Sequence, residues 1–313
     1  MAVIGVDIGG TKILAVRLGP DNTVVAEQRT PTPPEGDQVL AAVASVARKL
    51  GPVEAIGVGA PGLVDREGVL RFAPNLPHVV GLPVRPALEA WFPAAAVAVD
   101  NDATCAGWAE RVLGAGQGSD DVLMVTLGTG IGGGLISGGR LLRGSNGFSG
   151  EIGHIVVDAH GPPCPCGKRG CWERFASGSG LARLAREAAE AGAAPRLVEL
   201  AGGDPLAVRG EHVTRAAVEG DAGAEAVVAT FAWWVAVGLA SLANVFDPEC
   251  IILGGGLTVA GGLFLPPVQA AFAELVEAAE HRPAIRIVLA QLGEQAGAVG
   301  AAMLARDRDR RDR

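Results

Sequence analysis

The sequence predicts an α/β protein of two similar βββα-type domains with a cleft between them. Two patterns carry this reading. A strand, a glycine turn, a strand, a second turn and a third strand open the chain, and the same succession returns about 120 residues later, too far apart for a solenoid, whose repeats run about 20–50 residues. Helical stretches and further short apolar strands follow each copy, the alternation that marks α/β folds. The chain has 313 residues, 49% of them hydrophobic, enough for two cores.

In order, residues 3–8, 13–18 and 23–29 read as strands, with Gly9-Gly10-Thr11 as the first turn. A Pro-rich loop leads to a helical pattern over 38–50, and a strand over 53–58 ends at Gly59-Ala60-Pro61-Gly62. A strand over 96–99 and a helix over 103–113, stopped by Gly114, complete the first copy. In the second copy, strands over 121–127, 131–137 and 140–142 surround Gly128-Thr129-Gly130 and the hairpin turn Gly138-Gly139. Helices over 181–191 and 224–246, a strand over 250–253, a helix through 272–279, a strand over 285–289 and a helix over 295–306 follow, and the charged tail 306–313 reads as a solvated, frayed end. The expected division is a small domain over 1–117, with a C-terminal helix over 297–313 packing back on it, and a larger domain over 118–296.

Composition excludes several classes. With 26 basic and 34 acidic side chains the formal charge is −8, which argues against a general nucleic-acid binder and leaves any anionic substrate to backbone N–H groups, a lysine or a metal. The N-terminus lacks a basic region and Asp7 interrupts its apolar run, so no signal peptide is expected and the cytoplasm is the expected location. Residues 226–246 carry no charge and could span a bilayer. Their small and polar content, acidic neighbours and lack of flanking Lys or Arg favour a core helix, so no membrane partner is expected, and the same helix makes a homodimer or homotetramer plausible.

Several motifs carry chemistry. Asp7, Gly9, Gly10, Thr11 and Lys12 place an acid at a strand end, then glycines that admit a phosphate to the backbone, a hydroxyl and a cation. The acid suits Mg²⁺, directly or through water; an ordinary hairpin turn is the alternative. A valine at Gly10 is expected to clash with phosphate and to resist positive φ. Gly128, Thr129, Gly130, Gly132, Gly133 and Gly134 also fit G-x-G-x-x-G, but a dinucleotide fingerprint opens a helix, and here a strand and hairpin follow. Gly254-Gly255-Gly256 after a strand is a third nucleotide-facing loop. Cys164, Cys166 and Cys171 cluster within eight residues, and His154 supplies a fourth donor, which makes a closed, structural Cys3His zinc site. Reduced or disulfide-bonded cysteines are the alternative. Asp102, between strand and helix, is the candidate proton acceptor, with a helix N-cap as its alternative. Glu151 and His154 are spaced to share one face of a helical turn, and Glu173 follows the cysteine loop.

Together these motifs resemble the ROK family, sugar kinases and sugar-responsive repressors within the actin-like ATPase superfamily. The residues that carry the resemblance are DIGGTK (7–12), GAPG (59–62), APNL (73–76), NDA (101–103), LGTGIGGG (127–134), GEIGH (150–154) and CPCGKRGCWE (164–173). It implies two ribonuclease-H-like/actin-like ATPase domains and, on its glucose-phosphorylating branch, ATP as donor and glucose as acceptor. It gives Asp102 the role of base for the 6-hydroxyl, and Asn101, Glu151, His154 and Glu173 the sugar hydroxyls. Asp7, Gly9 to Lys12 and Gly128 to Gly134 would face phosphate and Mg²⁺, and Gly254, Gly255, Gly256 and Leu257 would lie near adenosine. His154 would bind zinc through one ring nitrogen and sugar through the other. Another hexose or an N-acetylhexosamine as acceptor, polyphosphate as donor, and a non-catalytic sugar sensor remain alternatives. The family's repressors carry a helix-turn-helix ahead of the DIGGT strand, for which this sequence leaves no room.

Overall fold

Strand β1 (Val3–Ile8) decides the layering of the first sheet. Its alternate residues face opposite ways. Ile4, Val6 and Ile8 enter one core, while Val3 enters another. Gly5 and Asp7 share the face of Val3, so the acid lies on the side covered by the C-terminal helix. The computed structural model describes residues 2–312 except Asn75 and Pro77, without the side chains of Val259 and of 309–312. Asn75, within the APNL motif, is therefore outside the described residues.

The first sheet adds β2 (Lys12–Leu18), β3 (Val24–Pro31), β4 (Ala55–Ala60) and, after the short hairpin β5 (Leu63–Val64) and β6 (Leu70–Phe72), β7 (Ala96–Asn101). Its order is β3-β2-β1-β4-β7, antiparallel through the first three strands and parallel from β1 to β7. Helix α1 (Gly36–Lys49) buries Val39, Leu40, Val43 and Val46, a 3.6-residue stripe, in the core of Ile4 and Val6. α2 (Val84–Trp91) adds Val84 and Leu88 to it. α3 (Asp102–Leu113) follows β7 directly.

The second sheet contains β8 (Val122–Leu127), β9 (Ile131–Ser137), β10 (Arg140–Leu141), β11 (Cys250–Gly254) and β12 (Arg286–Leu289) in the order β10-β9-β8-β11-β12. In both sheets, therefore, the first three strands of the copy lie in reverse order ahead of the two later ones. The duplicated sequence pattern and the duplicated strand order agree. β9 continues from the Gly128–Gly130 turn as a strand, which removes the dinucleotide reading.

Between the strands lie α4 (Glu173–Ala176), α5 (Gly178–Glu190), α6 (Pro195–Leu200), α7 (Gly210–Val218), α8 (Ala222–Phe246) and α9 (Gly261–Leu275). α8 is long and apolar enough to cross a membrane. Here it buries Phe231, Val235 and Leu239 and packs against α4, α5, α7 and α9. Asp221 caps it through the Ala224 N–H, and Asp247 ends it in the left-handed region at φ 44°. α9 begins well before the expected helix over 272–279 and runs through Pro266 and Pro267; beyond it Ala278 turns left-handed.

α10 (Ala296–Asp312) packs on β1, β4, β7 and α3. Backbones meet there: a Cβ at Gly57 would lie 1.7 Å from the Ala301 carbonyl oxygen. The tail is part of the C-terminal helix expected over 297–313 and not the solvated, frayed end also expected there. α10 continues through it, Arg306 is buried against Asn22 Oδ1 and the Gly19 carbonyl, and Arg308 donates to the Val97 carbonyl at 2.7 Å. Two compact units result, residues 1–124, 133–150 and 290–313 in the first, and 125–132 and 151–289 in the second.

Candidate active site

In the first unit, the ends of β1 and β4 and the start of α3 gather the acids. Asn101, not Asp102, caps α3: its Oδ1 accepts from the Thr104 N–H at 3.1 Å, and its Nδ2 donates to the Gly62 carbonyl at 3.1 Å. This removes the N-cap reading of Asp102. The capped turn fixes Asp102 as the first helical residue, where its Oδ1 accepts from the Ala103 N–H at 2.8 Å. Asn101, expected to hold sugar, thus already uses one donor and one acceptor within the unit, and one further N–H and lone pair remain to it.

Asp7 Oδ1 is buried and has no hydrogen-bond partner among the described residues. Burial, reinforced by the negative charge of Asp102 and offset by Lys12, pushes the Asp7 carboxyl up to about 7. Gly59, from the GAPG motif, keeps the space between the two acids open: a Cβ there would lie 3.3 Å from the Asp102 Cα and 3.5 Å from Asp7 Oδ1. An orphaned buried carboxylate beside a second acid fits a hard divalent cation with oxygen ligands.

The turn after β1 is tied by the Gly9 N–H to the Lys12 carbonyl at 2.9 Å and by Thr32 Oγ1 to the Gly9 carbonyl at 2.7 Å. Gly9 and Gly10 are not among the glycines at positive φ. The turn therefore needs glycine for close approach, not handedness: a Cβ at Gly9 would lie 2.8 Å from the Lys12 carbonyl oxygen. Gly10 and Thr11 are exposed. Lys12 pairs with Glu294, which also takes Arg29 at 2.7 Å, so this lysine reaches an incoming phosphate only by leaving that partner.

The second glycine turn divides by burial. Gly128, Thr129, Gly130 and Gly132 have accessible surface, whereas Gly133 and Gly134 are buried in β9. A Cβ at Gly134 would lie 2.7 Å from the Ala103 carbonyl oxygen, so Gly134 lets α3 approach rather than a ligand. The Gly128 N–H donates to the Gly130 carbonyl at 3.0 Å, and the Gly132 N–H to Thr126 Oγ1 at 3.1 Å. In the third loop Gly254 is buried, Gly255 sits at φ 88° and Gly256 and Leu257 enter a 3₁₀ turn.

The second unit holds the thiols. His154, Cys164, Cys166 and Cys171 bring their ligand atoms within 4.8 Å of one another. Cys164 Sγ is 3.9 Å from His154 Nδ1, and Cys166 Sγ is 3.6 Å from Cys171 Sγ. Zinc–sulfur bonds of about 2.3 Å in a tetrahedron require sulfur pairs about 3.8 Å apart, so the set fits zinc. Burial raises the thiols of Cys164 and Cys171 above the ordinary cysteine value, a cost that a cation among them offsets. All five cysteines of the chain are free, which leaves out the disulfide alternative.

Local backbone explains why these residues converge. A bridge between Val156 and Cys171 and another between Pro163 and Arg169 fold the loop back on itself. Gly170 is indispensable to it, at φ 68° with its Cα so near the Asp158 carbonyl oxygen that a Cβ would lie 1.5 Å away. Sequence reasoning missed Trp172. It is fully buried, donates Nε1–H to the Trp234 carbonyl at 2.7 Å and stacks its ring where Gly238 leaves room on α8. Its signal was available: a large aromatic between a metal-type loop and a helix start.

His154 ends a 3₁₀ turn begun at Ile152, so it shares a face with Glu151 as the spacing predicts. With Nδ1 toward the thiols, Nε2 points to the other side, 3.8 Å from Glu151 Oε2. Burial, reinforced by Glu173, raises the Glu151 carboxyl, and His154 opposes the shift. Glu173 opens α4 with Oε1 3.2 Å from Cys164 Sγ, and its Oε2 would touch a Cβ at Gly130 at 2.7 Å. Glu151, His154 and Glu173 thus stand together beside the thiol cluster and the second glycine turn.

The ROK family model matches residues 3–308. The chain is 40% identical to the glucokinase of Streptomyces coelicolor over 312 residues, 98% of each chain. It is 34% identical to the N-acetylmannosamine kinase of Shigella boydii, over 97% of this chain and 98% of that one. Its fold superposes with a TM-score of 0.86 on a ROK glucokinase from Streptomyces griseus in complex with glucose and AMPPNP, 41% identical, covering 98% of this chain and all of that one. This chain belongs to the ROK family.

Proposed function

We propose that the protein is an ATP-dependent glucokinase, transferring the γ-phosphoryl group of ATP to the 6-hydroxyl of glucose. The observation that carries this reading is the pair of acids at the start of α3 and the end of β1, in a chain similar over its whole length to enzymes named glucokinase. Asp102 accepts the proton of the 6-hydroxyl as its oxygen forms a bond to the γ-phosphorus and the bond to the β-phosphate bridging oxygen breaks. Asp7, raised by burial and with Oδ1 unpartnered among the described residues, would hold Mg²⁺ directly or through water, and bound Mg²⁺ would neutralise phosphate charge. Gly9 to Lys12 and the accessible part of Gly128 to Gly132 would receive the phosphates, with Gly255 to Leu257 near adenosine.

Asn101, Glu151, His154 and Glu173 would hold the sugar hydroxyls. Zinc on Nδ1 of His154 would fix its tautomer, so that Nε2 carries the proton and donates to a sugar oxygen. The same reading puts the enzyme in the cytoplasm, as a homodimer or homotetramer. The likeness to an N-acetylmannosamine kinase favours one second reading, a hexosamine as acceptor. Release of ADP measured over glucose, mannose, N-acetylmannosamine and N-acetylglucosamine, each with ATP and with polyphosphate, tests both. Glucose with ATP is expected to give the highest kcat/KM. Preference for an acetylated sugar, or no turnover with any, overturns the proposal.

A further inference from the structure

A cavity of about 780 Å³ opens in the first unit, and none of the residues assigned above to sugar, nucleotide or zinc lines it. β7, α3, the end of α10 and the loops near residues 65 and 143 form its walls. Five arginines face three aspartates across it, a local positive excess in a chain whose formal charge is −8.

Ion pairing removes little of that excess. Asp65 is already taken by Arg71, from outside the cavity wall, and Asp100 Oδ2 takes Arg143 Nε at 2.6 Å. Arg66 donates to the Gly144 carbonyl, and Arg85 Nη1 to the Arg66 carbonyl at 2.8 Å. Carbonyl oxygens satisfy N–H groups without cancelling the charge. Arg140 is exposed at the rim. Arg85 is half buried, and its Nε is enclosed with no hydrogen-bond partner. Burial and the nearby positive charge of Arg308 lower its guanidinium below the ordinary arginine value. Like charges gathered at a hollow are unfavourable until an anion enters.

We propose that this cavity binds a small phosphorylated molecule, with the phosphoryl oxygens taken by Arg66, Arg85 and Arg140. Guanidinium forks match phosphoryl oxygens in pairs, and a dianion answers several at once. The volume lies within the range of small-molecule sites. Trp108 and Leu304 add an apolar wall, which suits an organic body beyond the phosphoryl group. A hexose phosphate and inorganic pyrophosphate share the chemistry, and the test separates them.

Calorimetric titration of the full chain with glucose 6-phosphate and with pyrophosphate, in the presence of saturating glucose and AMPPNP, reads this cavity apart from the catalytic site. One saturable site per chain is expected. Tighter binding of glucose 6-phosphate assigns a role to the wall, and equal binding assigns the affinity to the phosphoryl group alone. Arg85→Met is expected to weaken binding by about tenfold or more. The double variant Arg66→Glu/Arg140→Glu, at two exposed positions, keeps the fold and is expected to do the same. Unchanged affinity in the double variant, no binding of either probe, or binding abolished by glucose and AMPPNP overturns the proposal.

Discussion

Asp7 and Asp102 sit side by side under opposite demands. As the proposed base Asp102 must be ionised, while burial of Asp7, reinforced by the charge of Asp102, holds the Asp7 carboxyl up to about 7. An amide at Asp102 keeps the shape and removes the acceptor. Asp102→Asn is therefore expected to fold normally and lose kcat by about 10²–10⁴-fold; a steady-state assay that returned more than about a tenth of wild-type kcat would exclude it as the base. Asp7 makes a prediction about stability. Its pKa is higher folded than unfolded, so folding takes up a proton between about pH 4 and 7, and the wild type loses stability as pH rises through that window. Asp7→Asn carries no such charge. Without nucleotide or Mg²⁺, thermal melts should show the variant gaining on the wild type from pH 4 to pH 8, by on the order of a few kcal/mol. A difference independent of pH would show that Asp7 is not the group that titrates. The same variant should bind MgATP more weakly.

At the scale of the element, the residues proposed for zinc and those proposed for sugar meet in and beside the cysteine loop. His154 offers one nitrogen to the thiol cluster and the other toward Glu151, and Glu173 begins α4 two residues after Cys171. Cys166→Ser is expected to lower bound zinc and the melting temperature, because metal binding is linked to folding. It should also raise the KM for glucose far more than that for ATP, since the first glycine turn belongs to another element. Metal analysis followed by glucose and ATP titrations checks this. A zinc-free variant that binds glucose normally would reduce the loop to a peripheral staple and remove the assigned roles of His154 and Glu173.

The first unit as a whole is closed by the C-terminus of the chain. Glu110, fully buried on α3, accepts the N–H groups of Gln291 at 2.9 Å and Leu292 at 2.7 Å through Oε1, and that of Ala115 at 2.9 Å through Oε2. One side chain thus ties α3 to the segment that leads into α10. Glu110→Gln would turn an NH₂ group toward backbone donors. It is expected to cost about 1–3 kcal/mol of stability in chemical denaturation, with kcat little changed. A variant as stable as wild type would mean that helix packing alone holds α10 in place.

What the sequence determined by itself was local. Asp7-Ile8-Gly9-Gly10, the second glycine turn and the cysteine spacing are legible because turn chemistry and chelation use neighbours in the chain, and the duplicated strand pattern is legible because alternation depends on nearest residues. Tertiary structure alone decided the rest. The orphaning of Asp7 depends on α10 covering that face of β1, with Gly297 against the Asp7 carboxyl. The diversion of Lys12 to Glu294, the burial of Gly133 and Gly134, the tie from Asn101 Nδ2 to the Gly62 carbonyl and the anchoring of Trp172 on α8 are likewise contacts between distant segments. Even the start of the charged tail, which reads as solvated, is buried because Arg306 finds Asn22 and the Gly19 carbonyl at the far end of the chain. Local propensity is set by residues a few places apart, whereas the pairing of a buried charge is set by whichever chain segment the fold brings against it.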